Sequence, residues 1–122
     1  VNAEYRLGSM YNEGWGVKYD QKKAFYWWRK AAFHGHTNAQ MQLSIAYFKG
    51  RGVERSFIYS YAWSALTASQ YIDGAKENKK MVTDLMTKTE IKSAKKIARK
   101  LWREAVEPYQ KGSTVRRHQF KE

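Results

Sequence analysis

The chain has 122 residues, 43% hydrophobic and 16% aromatic, with one proline and no cysteine. That is room for one packed domain, and it excludes disulfide staples and thiolate chemistry; no apolar run approaches the roughly eighteen residues of a membrane span. The formal charge of +12 is uneven, with 9 basic and 5 acidic residues up to Ala75 against 14 and 6 from Lys76 onward.

Helical periodicity opens at once. Ala3, Leu7 and Tyr11 share one face over Val1 to Asn12. Glu13-Gly14-Trp15-Gly16-Val17 reads as the following turn, because glycine reaches left-handed conformations without a Cβ clash. Asp20 is placed to cap a helix running to about His34. Along it Ala24, Trp27, Trp28, Ala31 and Ala32 form a stripe of small and aromatic residues, read as core. His34 and His36 flank Gly35; without Cys, Asp or Glu nearby to complete a metal set they read as solvated turn residues. No metal or cofactor is expected.

The next stretch, Thr37 to Lys49, puts Ala39, Leu43, Ala46 and Tyr47 on one helical face, and Thr37 with Gln40 has capping-box spacing. Gly50 and Gly52 stop this helix and Val53 anchors the turn. A second helix follows from about Ser56 to Ser69, with Tyr59, Ala62, Ala65, Trp63 and Leu66 expected inward. Sliding the chain by 36 residues pairs Ala3 with Ala39, Leu7 with Leu43, Tyr11 with Tyr47, Gly14 with Gly50, Gly16 with Gly52, Val17 with Val53 and Trp27 with Trp63. Identities concentrated at one offset mark an architectural repeat.

At the third step Ala75 keeps the register, but Lys79 and Thr83 take the Leu and Tyr positions and no glycine turn follows. Tyr71 to Met86 is expected to be a helix. Thr87 and Glu90 have capping-box spacing ahead of a helix from about Thr89 to Val106, with Ile91, Ala94, Ala98, Leu101, Trp102 and Ala105 on one face. Lys88, Lys92, Lys95, Lys96, Arg99 and Arg103 lie opposite them. This degenerate unit reads as the cap of the array, whose outer side faces water. Pro108 breaks the last helix, and residues 107–122, with Lys111, Arg116, Arg117 and Lys121, are expected to be a basic, disordered tail.

The pattern A-x3-LG-x2-Y-x2-G-x-GV followed by D-x3-A-x2-W-x3-AA-x2-G, carried by Ala3, Leu7, Gly8, Tyr11, Gly14, Gly16, Val17, Asp20, Ala24, Trp27, Ala31, Ala32 and Gly35, resembles the Sel1-like repeat, a 36-residue relative of the tetratricopeptide repeat. The segment from Asn78 through Met86, Thr87, Ile91, Ala94, Ala98 and Trp102 looks like the terminal helical pair common in bacterial proteins of this kind. The resemblance implies an all-α αα-superhelix, a short solenoid of helix-turn-helix repeats with a C-terminal helical cap and about six helices. Residues 1–36 and 37–72 would be the two repeats and 73–106 the degenerate third unit. It also implies a concave face lined by the leading helices and used as a non-catalytic adaptor for another protein or peptide.

On that face the register groups Arg6, Gln42 and Asn78; Ser9, Ile45 and Met81; and Glu13 with Lys49, with Tyr5, Met41 and Glu77 at the edge. Ile45 and Met81 are the sharpest picks, since exposed apolar side chains mark contact sites. Catalysis has no positive support. Ser93 and Lys96 have S-x-x-K spacing without the accompanying motifs, and the Gly-x-Gly turns lack a preceding strand. The alternative reading is a binder of nucleic acid or an anionic membrane surface on Lys88, Lys92, Lys95, Arg99 and Arg103, where an acidic protein would also fit. Val1 opens inside a repeat helix, so the chain reads as a piece of a longer protein, and its compartment, exported or cytoplasmic, stays open.

Overall fold

The structure, a computed structural model, describes residues 2–110 and 120. Among them are six α-helices: α1 Asn2–Glu13, α2 Gln21–Phe33, α3 Thr37–Lys49, α4 Phe57–Ser69, α5 Ala75–Thr83 and α6 Lys88–Ala105, with a short 3-10 turn at Glu107–Tyr109. The fold is an all-α helical repeat solenoid. Each leading helix packs on its partner, α1 on α2 and α3 on α4, and α3 and α5 dock in turn against the preceding unit. Alanine makes this stacking possible. Ala24, Ala31, Ala32, Ala39, Ala62, Ala65, Ala94, Ala98 and Ala105 are all essentially inaccessible, and a one-carbon side chain lets helix backbones approach closely. Trp28, Trp63 and Trp102 fill the space beside them, also buried.

The two turns are copies in atomic detail. Gly14 N donates to Met10 O and Asp20 N to Tyr11 O; 36 residues on, Gly50 N donates to Ala46 O and Ser56 N to Tyr47 O. Gly50 and Gly52 have φ of 72° and 73°, left-handed values that glycine adopts without strain. Asp20 caps α2 by accepting from Lys22 N and Lys23 N, and Ser56 caps α4 by accepting from Tyr59 N.

Where the units differ, they differ in matched pairs. Gly8 faces Trp28, and a methyl group on Gly8 would lie 2.4 Å from Trp28 Cδ1. At the equivalent places stand Ser44 and Ser64, whose hydroxyls hydrogen-bond to each other. Ser44 Oγ also donates to Ser60 O at 3.1 Å, and Ser60 Oγ donates to Ser44 O at 2.8 Å. A glycine against an indole has become a buried hydroxyl network in which each donor is satisfied, as burial requires.

Several expectations are corrected. Thr37 and Gln40 do not form a capping box. His36 is the N-cap of α3, its Nδ1 accepting from Ala39 N at 3.2 Å. Gln40 is wholly buried and its Nε2 donates to Ala32 O and to Ala105 O, so it ties α3 to both α2 and α6. Tyr59, expected inward, is exposed and stacks on Tyr47. The helix expected from Tyr71 begins only at Ala75, because Tyr71 itself has φ of 60° and Gly74 is left-handed. Thr87 and Glu90 do form a capping box at the start of α6.

The third unit departs from the repeat geometry at α6. This helix packs along α4 and reaches α2, although α2 and α4 scarcely touch each other. Expected disorder from residue 107 does not hold at Glu107–Tyr109, and the Phe120 ring lies 5.5 Å from that of Trp102. Lys111, Arg116, Arg117 and Lys121 fall outside the described residues.

The turns yield a paired test. A Cβ on Gly52 would lie 2.2 Å from Gln21 O, whereas one on Gly16 meets nothing closer than Met10 Cε at 3.9 Å. Gly16→Ala should cost only its left-handed backbone, about 1–2 kcal/mol; Gly52→Ala should cost about 3–4 kcal/mol, the clash being added. Urea unfolding of the two variants measures the difference.

Candidate functional site

The leading-helix side is where the sequence placed a partner. Four of the residues named there meet in one cleft of about 200 Å³ between α3 and α5: Ile45, Lys49, Asn78 and Met81. Ser44, Ser60 and Val82 complete it, together with Phe48, which sequence reasoning missed although it sits three residues after Ile45 on the same helical face. Met81 is 47% exposed, and Leu85, one turn on, is 54% exposed. Large apolar groups left in water next to a concavity are the features of a contact site.

Other members of the set lie elsewhere. Arg6 and Glu13 are exposed on α1, with Ser9 and Gln42 partly buried, and none of them lines this cleft. Met41 is used within the array: its Sδ accepts from Asn78 Nδ2 at 3.7 Å, and its Cε would touch a Cβ on Gly74. A larger concavity, about 400 Å³ at the α4–α5 turn, is walled by Tyr71, Ile72, Asp73 and Lys76 and takes from the set only Glu77, placed at its edge.

The two histidines are structural rather than simply solvated. The Tyr5 ring stacks on His36 with centroids 4.4 Å apart, and His34 Nδ1 lies 2.8 Å from Glu4 Oε1. Both contacts fasten α1 to the α2–α3 turn and thereby fix the angle between successive leading helices. Among the described residues no group of three or more His, Cys, Asp or Glu is arranged to hold a metal ion.

On α6, Lys88, Lys92, Arg99 and Arg103 are exposed and Lys95 is partly buried. Beside this stripe lies a second cleft, about 210 Å³, bounded by α2, α3, α4 and α6. It has no signal in sequence periodicity, since its lining is spread over four helices, two residues each from α2, α3 and α4 and four from α6. No helix among the described residues is long and apolar enough to cross a membrane.

Paired helices, recurring glycine turns and alanine-sealed interfaces define the class as an α-helical repeat array. The chain belongs to the Sel1 repeat family, whose model matches residues 1–36 and 37–71. Sel1 repeats generally serve as non-catalytic scaffolds for protein–protein interaction. Among solved structures, a protective antigen of uropathogenic Escherichia coli with an SLR fold is similar, at 26% identity and a TM-score of 0.81. The match covers 96% of this chain but only 27% of that antigen. No curated protein matches.

The His36 cap predicts a pH dependence. Burial pushes His36 below the ordinary histidine value of 6.5, and its Nδ1 must be unprotonated to accept from Ala39 N. The unfolded chain therefore takes up this proton first. The stability contributed is complete above about pH 6.5 and is lost as pH falls through the lower folded value. His36→Asn, which caps without titrating, should flatten the fall in unfolding midpoint between pH 7 and pH 5 relative to the wild type.

Proposed function

We propose that this protein is a non-catalytic adaptor that recognises a peptide segment of another protein on the concave, leading-helix side of its array. The observation that carries this reading is the α3–α5 cleft, where Ile45, Phe48 and Met81 offer an apolar seat. An aliphatic or aromatic side chain of the partner anchors there, in the manner of a peptide docking on helical grooves. Lys49, exposed at the end of α3, and the chain-wide excess of positive charge favour a segment with acidic residues beside that anchor. Arg6, Ser9, Glu13 and Gln42 then belong to the wider approach surface rather than to the anchor point.

A second reading rests on the exposed cations of α6. Lys88, Lys92, Arg99 and Arg103, with Lys95, form a stripe suited to nucleic acid or an anionic membrane surface.

Peptides selected from a random displayed library against the intact protein should be enriched in an apolar residue next to acidic ones. Ile45→Asp combined with Met81→Asp should weaken their binding at least about tenfold, the loss of a buried apolar anchor. Lys92→Glu, Lys95→Glu and Arg99→Glu together should change it far less. Isothermal titration with one selected peptide measures both, and equal binding by the cleft variant and the wild type would remove the cleft from the interface.

A further inference from the structure

We propose that the cleft between α2, α3, α4 and α6 seats one base of a single-stranded nucleic acid, with the neighbouring phosphates held by Arg29 and Lys100. Its size is the first argument. About 210 Å³ is somewhat more than the roughly 150 Å³ that accommodates a benzene ring and less than the roughly 300 Å³ at which drug-sized sites begin. One ring system fits. Its walls are the second. Phe33, Tyr47, Tyr59 and Trp63 line it, with Leu101 from α6. Tyr59, stacked on Tyr47, is 42% exposed and so reachable by a base entering from solvent, while the Trp63 indole is buried.

Charge narrows the occupant. Arg29 and Lys100 enter the rim from different helices, and Glu104 is the one acidic group there. The cations continue away from the cleft on both sides. Helix α2 carries Lys22, Lys23, Arg29 and Lys30 and no acidic residue; along α6, Lys96, Lys100 and Arg103 follow one another at four and three residues. Lys30 Nζ lies 5.4 Å from the Tyr26 ring and 5.3 Å from that of Trp27, and Tyr26 is exposed. Cations in rows interleaved with accessible rings are what an unpaired strand requires, its phosphates regularly spaced and its bases free to stack. Duplex DNA hides those faces. A lipid surface contacts projecting aromatic rings rather than a recessed ring seat.

The cleft is made by the cap. It exists because α6 crosses from α4 to α2, a contact that helices of the repeat units do not make with one another. It lies apart from the α3–α5 cleft, and none of its residues is shared with the peptide site. It shares with the α6-stripe reading a nucleic-acid ligand and the Arg103 cation, but the ring-lined cleft and its Arg29 and Lys100 are not part of that stripe.

The test measures fluorescence anisotropy of a labelled ten-residue oligothymidylate and of an abasic strand of the same length, with the full chain at low and high salt. The base-bearing strand should bind about tenfold tighter or more, and Tyr59→Ala should abolish that preference. Arg29→Gln with Lys100→Gln should weaken both strands about tenfold and flatten the salt dependence, with helical circular dichroism unchanged. The wild-type comparison of the two strands needs no variant and decides by itself if a variant fails to fold. Equal binding of the two strands would overturn the proposal; if Lys92→Glu with Arg99→Glu then still lowered affinity, the stripe reading would stand without the cleft. Absence of binding at low salt, or binding of anionic phospholipid vesicles or an acidic aromatic peptide in place of the strand, would overturn it as well.

Discussion

Close approach of helix backbones across alanine is the constraint on which everything else in this molecule depends. With Ala24, Ala31 and Ala32 on α2, Ala39 on α3 and Ala62 and Ala65 on α4 fully covered, no side chain longer than a methyl group separates the helices at those points. The rest of the core adapts to that spacing. Trp28 packs directly against Gly8 of α1, and Phe33 packs edge-on against Trp63 with centroids 5.4 Å apart. Gln40 is the polar counterpart of the same constraint. Its amide reaches two carbonyls at once only because α2 and α6 both come close to α3, and its own oxygen accepts from Gln70 at 2.8 Å. A buried amide without those partners would be costly; satisfied, it fixes where α6 can sit.

That placement of α6 divides the molecule into two surfaces of different character. Leading helices leave an apolar recess between α3 and α5, floored in part by the serine network that the close α3–α4 approach requires. The other side, built from α2, α4 and α6, is aromatic and cationic. Its rings hold cations in place: Arg29 lies over Phe33 at 4.8 Å and Lys30 over Tyr26 and Trp27. Such contacts are worth about 0.5–1 kcal/mol each at exposed sites, enough to order long side chains that would otherwise sample solvent.

Much of this was legible in the sequence, for physical reasons that can be named. Turns depend on glycine at fixed offsets and α6 on an eighteen-residue amphipathic period, both local signals, and both are where the sequence puts them. Ile45, Lys49, Asn78 and Met81 came together because register along a repeat carries three-dimensional information. Local signals failed where a residue served a distant partner. Gln40 has the spacing of a cap residue but bonds across 65 positions to Ala105. His36 resembled a solvated turn residue until the ring of Tyr5 was stacked on it. Tyr71 adopts a left-handed backbone, rare for a tyrosine, and no periodicity announces it. Most hidden was the cleft bounded by α2, α3, α4 and α6, which depends on a crossing of helices that the repeat register does not contain.

The exchange of Gly8 and Trp28 for Ser44 and Ser64 has a bearing on how far this array is modular. Each pair is complete only with its own partner: a hydroxymethyl group at position 8 would drive into the indole, and an indole at position 64 would displace the hydroxyl that bonds to Ser44. Transplanting one helix between the units therefore carries half of each solution into a setting built for the other. The repeats share a backbone plan, yet their helices are not interchangeable parts. Exchange of whole helical pairs at the α2–α3 turn keeps each contact intact, whereas a crossover at the glycine turn inside a pair separates its two halves.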